Sequence, residues 1–312
     1  MFRPCPRPLF VGCLITVAGC LTASSVMAQP PRAKQPRLQV PPGAKVLKNI
    51  EYKKYSTEGQ GETKALLLDL FLPKQRSGAL PVIVFIHGGG WNGGAKEAAY
   101  RCAAKLATDG FAIASINYRL TQEAQWPAQI NDCYDAVRWI RDHADEYDLD
   151  GGRIAVWGGS AGGHLAALVA TRPYPGKEST SSRVQALVDW FGPTDLLTMP
   201  PNVVGPKRTK EEVAASNGAK LLGATVADVP KLAKDASALH HVSKDDPPTL
   251  IMHGEKDASV PLEQSQRLHQ ALIDVGVKSE LDVLPGAGHG GQPFFKIASR
   301  DRVSDFLKQA LK

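Results

Sequence analysis

The sequence predicts an α/β protein, a three-layer α/β/α sandwich built around a mostly parallel sheet. Short runs of β-branched and apolar residues, such as PVIVFI at residues 81–86, are typical of strands buried on both faces. These runs alternate along the chain with segments of helical periodicity, which is the pattern of a parallel sheet covered by helices. The chain has 312 residues, 43% of them hydrophobic and 22% charged, enough for one large domain of this class or two small ones.

The strands are placed by the buried runs and by two further β-rich stretches that precede residues 81–86. The predicted strands cover residues 48–55, 64–72, 81–86, 111–117, 153–157, 184–190, 249–252 and 280–284.

Five segments are predicted to be helices. The first ends at the turn formed by Asp109 and Gly110, and the second begins at Pro127, where the missing N–H of proline does no harm. Leu268 and Leu272 lie on one apolar face of the fourth. The predicted helices cover residues 96–108, 127–146, 163–171, 261–275 and 294–311.

Residues 193–246 interrupt this alternation of strands and helices. They contain several prolines and mixed charges, and no run typical of a buried strand. We interpret them as an insertion above the carboxyl-terminal edge of the sheet, either a small lid or a disordered surface loop.

The first 28 residues have the pattern of a secretory signal peptide. Arg3 and Arg7 precede an apolar run over residues 9–21, and small residues before Gln29 offer a cleavage point. No segment reaches the roughly 18 apolar residues that a membrane-spanning helix needs, so no transmembrane span is expected. The sequence therefore predicts export to the periplasm or the extracellular space.

A second interpretation of the same segment also predicts export. Residues 17–20, Val-Ala-Gly-Cys, are similar to a bacterial lipobox, in which Cys20 would be lipidated and become the first residue. Cleavage after Ala28 and lipidation at Cys20 stay open as alternatives. Residues 29–45, rich in proline and basic side chains, are typical of a linker.

The formal net charge is +6 at pH 7, and part of it comes from the basic stretch between Arg32 and Lys54. A basic surface can attract anionic polymers. The chain has no nucleic-acid motif and no interleaving of aromatic and basic residues, so we favour a solvated tether and expect no nucleic-acid partner. No spacing of Cys and His matches a zinc site, and no metal or cofactor is expected.

The stretch VWGGSAGGH places Ser160 in a G-x-S-x-G pattern between a predicted strand and a predicted helix. A turn this tight forces the serine into a strained backbone conformation and requires small neighbours. It also exposes the hydroxyl at the carboxyl edge of the sheet, which predicts a nucleophile. The alternatives are a structural serine in a turn and a phosphate-binding loop, for which the usual lysine is absent.

A serine nucleophile needs a base and a carboxylate that orients the base, and in this kind of fold they follow in the order Ser, Asp or Glu, His. Asp257 lies in the loop after the strand at residues 249–252, and His289 lies in a glycine-rich loop after the strand at residues 280–284. Both are therefore expected at the edge that carries Ser160. The rival groups are Glu255, His240, His241, His253 and His269.

Catalysis of acyl transfer also needs donors for an oxyanion. The sequence HGGGW at residues 87–91 follows a buried strand, and its glycines allow backbone N–H groups to approach a developing alkoxide. We predict an oxyanion hole made by the N–H groups of Gly89, Gly90 and Ala161. His87 is predicted to brace this loop.

The motifs HGGGW, NYRL, GGSAGGHLA, HGEKD-x-x-VP and GAGHG together resemble the α/β-hydrolase superfamily. Within it, the chain is most similar to the bacterial esterase/lipase group of hormone-sensitive-lipase-like and feruloyl or acetyl-xylan esterase (BD-FAE) proteins. The resemblance covers residues 46–312. It implies an eight-stranded sheet, no cofactor and an acyl-enzyme route, with Ser160 as nucleophile, His289 as base and Asp257 as orienting acid.

The strand order of that family also implies that Cys102 and Cys133 lie on opposite faces of the sheet. Both are then expected to be free, buried thiols. Arg119 and Asp132 match positions that we interpret as structural. Trp91, Trp126 and Trp190 are candidates for either the substrate pocket or the core, and Asp195 is expected to be structural.

The function predicted from the sequence is that of a secreted serine carboxylesterase acting on a small-molecule or polysaccharide ester. The resemblance suggests short-chain or aromatic acyl groups, such as acetyl or feruloyl groups on polysaccharides. The alternatives are a serine peptidase or amidase, similar to prolyl oligopeptidases or arylformamidases, and a non-catalytic binding protein on a hydrolase fold.

Overall fold

The structure of the protein is a computed structural model that describes residue 1 and residues 39–56, 62–206 and 208–312. The signal-peptide and lipobox predictions, and most of the predicted linker, lie outside the described residues. Residues Leu38–Lys312 form one compact unit.

The strands of this unit form a single sheet. They are β1 (Ala44–Ser56), β2 (Thr63–Pro73), β3 (Leu80–Ile86), β4 (Ala112–Ile116), β5 (Leu149–Gly159), β6 (Ala186–Trp190), β7 (Thr249–Gly254) and β8 (Ser279–Leu284). In the described part of the chain the sheet has eight strands, in the order β1-β2-β4-β3-β5-β6-β7-β8. β2 pairs antiparallel with β1 and with β4, and the other pairs are parallel, so the mostly parallel sheet is confirmed.

Helices cover both faces of the sheet. They are α1 (Ala128–Asp142), α2 (Ala144–Tyr147), α3 (Ala161–Thr171), α4 (Lys210–Ala214), α5 (Asn217–Leu222), α6 (Pro230–Asp235), α7 (Leu262–Asp274), α8 (Gln292–Phe295) and α9 (Ile297–Ala310). Apolar side chains of α1, α3 and α7 belong to one core cluster, and those of α9 belong to another with Ala99 and Leu106. The two clusters lie on opposite faces, which confirms the three-layer sandwich.

The segment predicted as a helix at residues 96–108 is not an α-helix. It forms two 3₁₀ helices, Lys96–Arg101 and Ala103–Asp109, separated at Cys102. The carbonyl oxygen of Lys96 accepts a hydrogen bond from the hydroxyl of Ser115 in β4 at 2.6 Å. Contacts with the neighbouring strand therefore shape this segment.

Two predicted boundaries also differ from the structure. β1 begins at Ala44, which is 3% exposed and packs in the core, so the domain starts before residue 46. The last predicted helix is divided into α8 and α9 at Lys296, whose ψ of 156° is extended.

The predicted insertion, residues 193–246, is folded in its described part. It contains α4, α5 and α6 together with the 3₁₀ helices Pro200–Asn202, Val226–Asp228 and Ala238–His240. Leu196, Leu221 and Val226 are buried in the same core cluster as α1 and α3. The segment is therefore part of the core, and the surface-loop alternative does not describe it. Movement as a lid stays a prediction.

The two described cysteines are free and buried, as predicted. Cys133 belongs to the core cluster of α1, and Cys102 belongs to the cluster on the other face. Among the helices of the described residues, none is both long and apolar enough to cross a bilayer.

Candidate active site

Ser160 occupies the turn between β5, which ends at Gly159, and α3, which begins at Ala161. Its φ of 56° and ψ of −123° lie in a region that non-glycine residues rarely adopt, so the turn stores strain at this residue. The turn also needs a small neighbour. A Cβ on Gly162 would lie 2.1 Å from the carbonyl oxygen of Ile86, which only a glycine avoids.

The structure brings the three predicted catalytic residues together. Nε2 of His289 lies 2.8 Å from Oγ of Ser160, and Nδ1 of His289 lies 2.7 Å from Oδ2 of Asp257. A carboxylate only accepts, so Nδ1–H donates to Asp257 and Nε2 is left to accept from the serine hydroxyl. This arrangement can move a proton from Ser160 to His289.

Asp257 is held as a carboxylate by several donors. Its Oδ1 accepts hydrogen bonds from the N–H groups of Ser259 at 2.8 Å and Val260 at 2.9 Å. Burial raises the pKa of this carboxyl, but hydrogen bonds from His253, His289 and Val260 outweigh burial and hold the pKa well below its usual range. The carboxylate is therefore ionised at neutral pH and can stabilise an imidazolium at His289.

His253 supports the carboxylate, a position that the sequence did not reveal. Its ring is fully buried, with Nε2 at 2.8 Å from the carbonyl oxygen of Val260 and 3.3 Å from Oδ2 of Asp257. Its Nδ1 lies 2.6 Å from Oγ of Ser265. The structural role expected for His253 is thus found next to the site, and its place four residues before Asp257 is the signal that could have shown it.

The other rival groups have separate partners. Glu255 accepts a hydrogen bond from the N–H of Gly286 at 2.8 Å, which fixes the loop before His289. Nδ1 of His269 lies 2.9 Å from Oγ of Ser279. His240 lies near Asp195, and His241 contacts the carbonyl oxygen of Asp235.

The predicted oxyanion donors lie around Ser160. Gly89, Gly90 and Ala161 line the same cavity as Ser160 and His289. Ala161 is the first residue of α3, and the first amides of a helix have no carbonyl partner within the helix. All three residues therefore border the cavity that contains Ser160, and their role as an oxyanion hole stays a prediction.

His87 braces this loop, as predicted. Its Nδ1 lies 2.9 Å from the carbonyl oxygen of Gly88, and its ring stacks on Tyr118 with 4.3 Å between the centroids. Burial lowers the pKa of His87 to about 4, although the hydrogen bond to Gly88 opposes the shift. The imidazole is therefore neutral at pH 7 and donates from Nδ1 to the loop.

A second histidine, His164, holds the other end of the loop, and the sequence did not reveal this role. Nε1–H of Trp91 donates to Nδ1 of His164 at 3.1 Å, and Nε2 of His164 lies 2.7 Å from the carbonyl oxygen of Ala236. Burial lowers the pKa of His164 to about 4, so the ring is neutral and donates from Nε2 to Ala236. His164 thus connects the oxyanion loop to residues 193–246, and the signal for it was its place in GGSAGGH.

The cavity above Ser160 has a volume of about 870 Å³ and two different walls. Of the three candidate tryptophans, Trp91 and Trp190 line it, whereas Trp126 does not and donates from Nε1 to Asp235 at 2.9 Å. The apolar wall contains Phe85, Ala98, Cys102, Trp190, Phe191 and Phe295, with Arg101 as a charged member of the same part of the lining. The polar wall contains Asn202, Arg208, Glu212, Ser216 and Asn217, which all belong to residues 193–246.

Arg119, Asp132 and Asp195 have the structural roles expected for them. Arg119 forms a bidentate pair with Asp132, at 2.8 Å from Nε and 2.7 Å from Nη2. Asp195 accepts hydrogen bonds from Leu197 and Thr198 and pairs with Arg267. Within the described ranges, no group of three or more His, Cys, Asp or Glu side chains is arranged to hold a metal ion.

The chain matches the model of a known protein family over a region that includes part of this site. The family model of BD-FAE matches residues 68–272, well over half of the chain. The chain belongs to the BD-FAE family. The match includes Ser160 and Asp257 and ends before His289.

Several relatives of this BD-FAE protein are esterases by name. Esterase LipQ of Mycobacterium tuberculosis is 33% identical over 237 residues, which are 73% of this chain and 55% of LipQ. The chain spans about half the length of the curated relatives it matches.

Solved structures cover the chain more completely. A truncated form of a carbohydrate esterase from gut microbiota is 34% identical with a TM-score of 0.74, covering 85% of this chain and 96% of its own. An acetyl ester-xyloside bifunctional hydrolase from Caldicellulosiruptor lactoaceticus is 26% identical with a TM-score of 0.67, covering 84% of this chain and 95% of its own. These neighbours confirm the α/β-hydrolase fold predicted from the sequence.

Proposed function

We propose that this BD-FAE protein is an exported serine carboxylesterase that hydrolyses short-chain or aromatic acyl esters. The hydrogen-bond chain from Ser160 through His289 to Asp257, next to the amides of the oxyanion loop, supports this proposal most directly. The esterase names of the relatives agree with it. The carbohydrate esterase and the acetyl ester-xyloside hydrolase among the structural neighbours favour acetyl or feruloyl groups on polysaccharides.

In the acylation step, Oγ of Ser160 attacks the ester carbonyl while Nε2 of His289 takes the hydroxyl proton. The oxyanion that forms accepts hydrogen bonds from the N–H groups of Gly89, Gly90 and Ala161. The bond to the alcohol oxygen then breaks, and His289 gives its proton to that oxygen. The alcohol leaves, and the acyl group remains on Ser160.

In the second step, His289 takes a proton from a water molecule as the water attacks the acyl carbonyl. The bond to Oγ breaks, the proton returns to Ser160, and the free acid leaves. Asp257 stays ionised throughout and stabilises the positive charge on His289, as its lowered pKa requires.

Hydrolysis of p-nitrophenyl esters of C2, C4 and C8 acids tests the proposal. We expect the wild type to hydrolyse at least the shorter esters and Ser160→Ala to lose roughly four to six powers of ten in kcat, because no other hydroxyl is activated there. Ser304→Ala is the control. Within the described residues the hydroxyl of Ser304 is buried without a hydrogen-bond partner, so its loss should leave kcat within about twofold.

The outcome separates the alternatives. A wild type that is inactive on esters but hydrolyses p-nitroanilides would favour the peptidase or amidase, and inactivity on both would favour the binding protein. Export is a separate part of the proposal. Export is tested by determining the first residue of the exported protein, which we expect to be either Gln29 or a lipidated Cys20. An unprocessed chain would contradict export.

A further inference from the structure

The two walls of the cavity come from different parts of the chain. The apolar wall is formed by strands β3 and β6, the first 3₁₀ segment and α8, with side chains such as Phe85, Trp190 and Phe295. The polar side chains of the second wall belong to the insertion, residues 193–246, which also contributes Met199 and Pro201 to the lining. An ester has two halves that separate at the carbonyl, so the two walls are suited to different halves of one substrate.

Asn217 places the polar wall directly against the oxyanion loop. Its Oδ1 accepts a hydrogen bond from Nδ2 of Asn92 at 2.8 Å. A Cβ on Gly90 would lie 2.4 Å from Nδ2 of Asn217, so the amide group packs on this glycine. Within the described ranges, this NH₂ group has no protein acceptor, and it lines the cavity. It is therefore free to donate to a substrate atom beside the reacting carbonyl.

Arg208 adds a positive charge to this wall, and Glu212 adds a negative charge. Both side chains are exposed in the cavity. Glu212 uses Oε2 to accept from the N–H of Thr209 at 2.8 Å, and Oε1 remains for another donor. Among the described residues, Arg208 pairs through its backbone with Gly205, and its guanidinium forms no ion pair. The wall thus offers an amide donor, a guanidinium donor and a carboxylate acceptor.

This combination selects the chemistry of the ligand. A sugar hydroxyl both donates and accepts, so it can use donors and an acceptor at the same time. An anionic alcohol, such as a uronic acid, would be attracted by Arg208 and repelled by Glu212. A second arginine, Arg101, also lines the cavity, so the ligand is selected by the combination of donors and acceptor, which favours an alcohol with several hydroxyl groups.

We propose that the insertion forms the leaving-alcohol subsite, in which Arg208, Glu212 and Asn217 bind a polyhydroxylated alcohol such as a sugar. The apolar wall then holds the acyl group. This inference rests on the proposed esterase function and adds the position and chemistry of the alcohol site to it.

The test compares two esters that share one acyl group. The acyl group is the one preferred in the p-nitrophenyl series, and the alcohols are methyl β-xyloside and ethanol. We expect kcat/KM of the wild type to be at least about tenfold higher for the sugar ester. In the double variant Arg208→Gln, Glu212→Gln this ratio should fall at least about tenfold, because charge-assisted hydrogen bonds to the sugar are lost. Glutamine at residue 212 preserves the capping box of α4.

Lys220→Gln is the matched control. Lys220 is an exposed cation of α5 in the same insertion and is not among the residues that line the cavity. This variant should keep the wild-type ratio. Both rates are measured on one protein sample, so a loss of folded protein cancels from the ratio.

The outcomes for the subsite and for the esterase function are distinct. A wild type that cleaves p-nitrophenyl esters but does not prefer the sugar ester overturns the subsite alone. A double variant with the same ratio as Lys220→Gln also overturns it. A wild type that cleaves no ester overturns both proposals.

Discussion

Trp91 has a backbone conformation that places unusual demands on its neighbours. Its φ of 60° is left-handed, and it follows the glycines that carry the predicted oxyanion donors. The indole hydrogen bond to His164 and the backbone bond from Thr121 N–H to the Trp91 carbonyl oxygen, at 2.9 Å, fix it from two sides. The position of the loop amides therefore depends on the ring of His164, which is not among the residues that line the cavity.

The variant His164→Phe tests this dependence. Phenylalanine fills the buried space but offers no acceptor to Trp91 and no donor to Ala236, so both groups lose a buried hydrogen bond. We expect kcat on all esters to fall about 10- to 100-fold, with KM changed much less, because the loop amides act chiefly in the transition state. Steady-state kinetics on p-nitrophenyl acetate measures both constants.

Thr171→Val is the control for the His164 variant. Thr171 lies on the same helix, and its hydroxyl contacts the carbonyl oxygens of Ala167 at 3.0 Å and Ala238 at 3.4 Å. Its substitution removes a buried contact between α3 and the insertion without affecting Trp91. Equal losses of kcat in the two variants would mean that His164 has no specific effect on the loop.

Single residues were predictable where their position alone gives their role. Ser160, Asp257 and His289 each follow one of the parallel strands β5, β7 and β8, and parallel strands end at one edge of the sheet. His164 and His253 have sequence signals in their places beside Ser160 and Asp257, but their contacts with Ala236 and Val260 were not predictable, because both acceptors are backbone carbonyls. No pattern of side chains records a contact with a carbonyl.

At the scale of elements, α5 and the oxyanion loop form one unit through Asn92 and Asn217. The variant Asn217→Asp keeps the shape of the side chain and adds a negative charge beside Gly90. We expect kcat to fall on the order of 10- to 100-fold for every ester, whatever its alcohol, because the new charge repels the developing oxyanion. The p-nitrophenyl and ethyl esters together measure this effect.

Asn131→Asp is the comparison for this charge change. Asn131 lies on α1 and lines a different cavity, so the same added charge should leave kcat within about twofold. An Asn217→Asp enzyme that loses activity only on the sugar ester would contradict the proposed contact with the oxyanion loop.

Strands were predictable from the sequence where both faces of the strand are buried. β3, β5 and β7 are runs of apolar residues, and their predicted positions agree with the structure to within a few residues. The 3₁₀ segments around Cys102 were not predictable as such, since the bond from Ser115 to Lys96 is a tertiary contact with β4 that the sequence pattern does not show. The short helices of residues 193–246 have too few turns to show helical periodicity, and the loop alternative arose for that reason.

At the scale of the whole molecule, one buried carboxyl links stability to pH. Asp189 in β6 is fully buried, its Oδ1 accepts from the N–H of Gly192 at 3.0 Å, and its Oδ2 has no partner within the described part of the chain. Burial raises the pKa of Asp189 to about 6, although the bond from Gly192 opposes the shift. Between about pH 4 and pH 6, the folded protein therefore keeps a proton on Asp189 that the unfolded chain has already released.

The contribution of Asp189 to stability should therefore fall as the pH rises through this window, by on the order of 2 to 3 kcal/mol. Asp189→Asn removes the ionisation. We expect the free energy of unfolding of this variant, relative to wild type, to be higher at pH 7.5 than at pH 4.5 by about that amount. Urea unfolding at both values measures the difference, and the exposed Asp301→Asn serves as control. The same relative free energy at both pH values would contradict the prediction.

The division of the cavity has a consequence for how such proteins can diversify. The polar wall comes from one continuous stretch, residues 193–246, whereas the apolar wall comes from pieces spread along the rest of the chain. A gene segment that encodes residues 193–246 could be exchanged between relatives without changing the residues of the apolar wall. A lineage with this architecture could therefore acquire new alcohol preferences by recombination, while its acyl preference would change only by scattered point mutations.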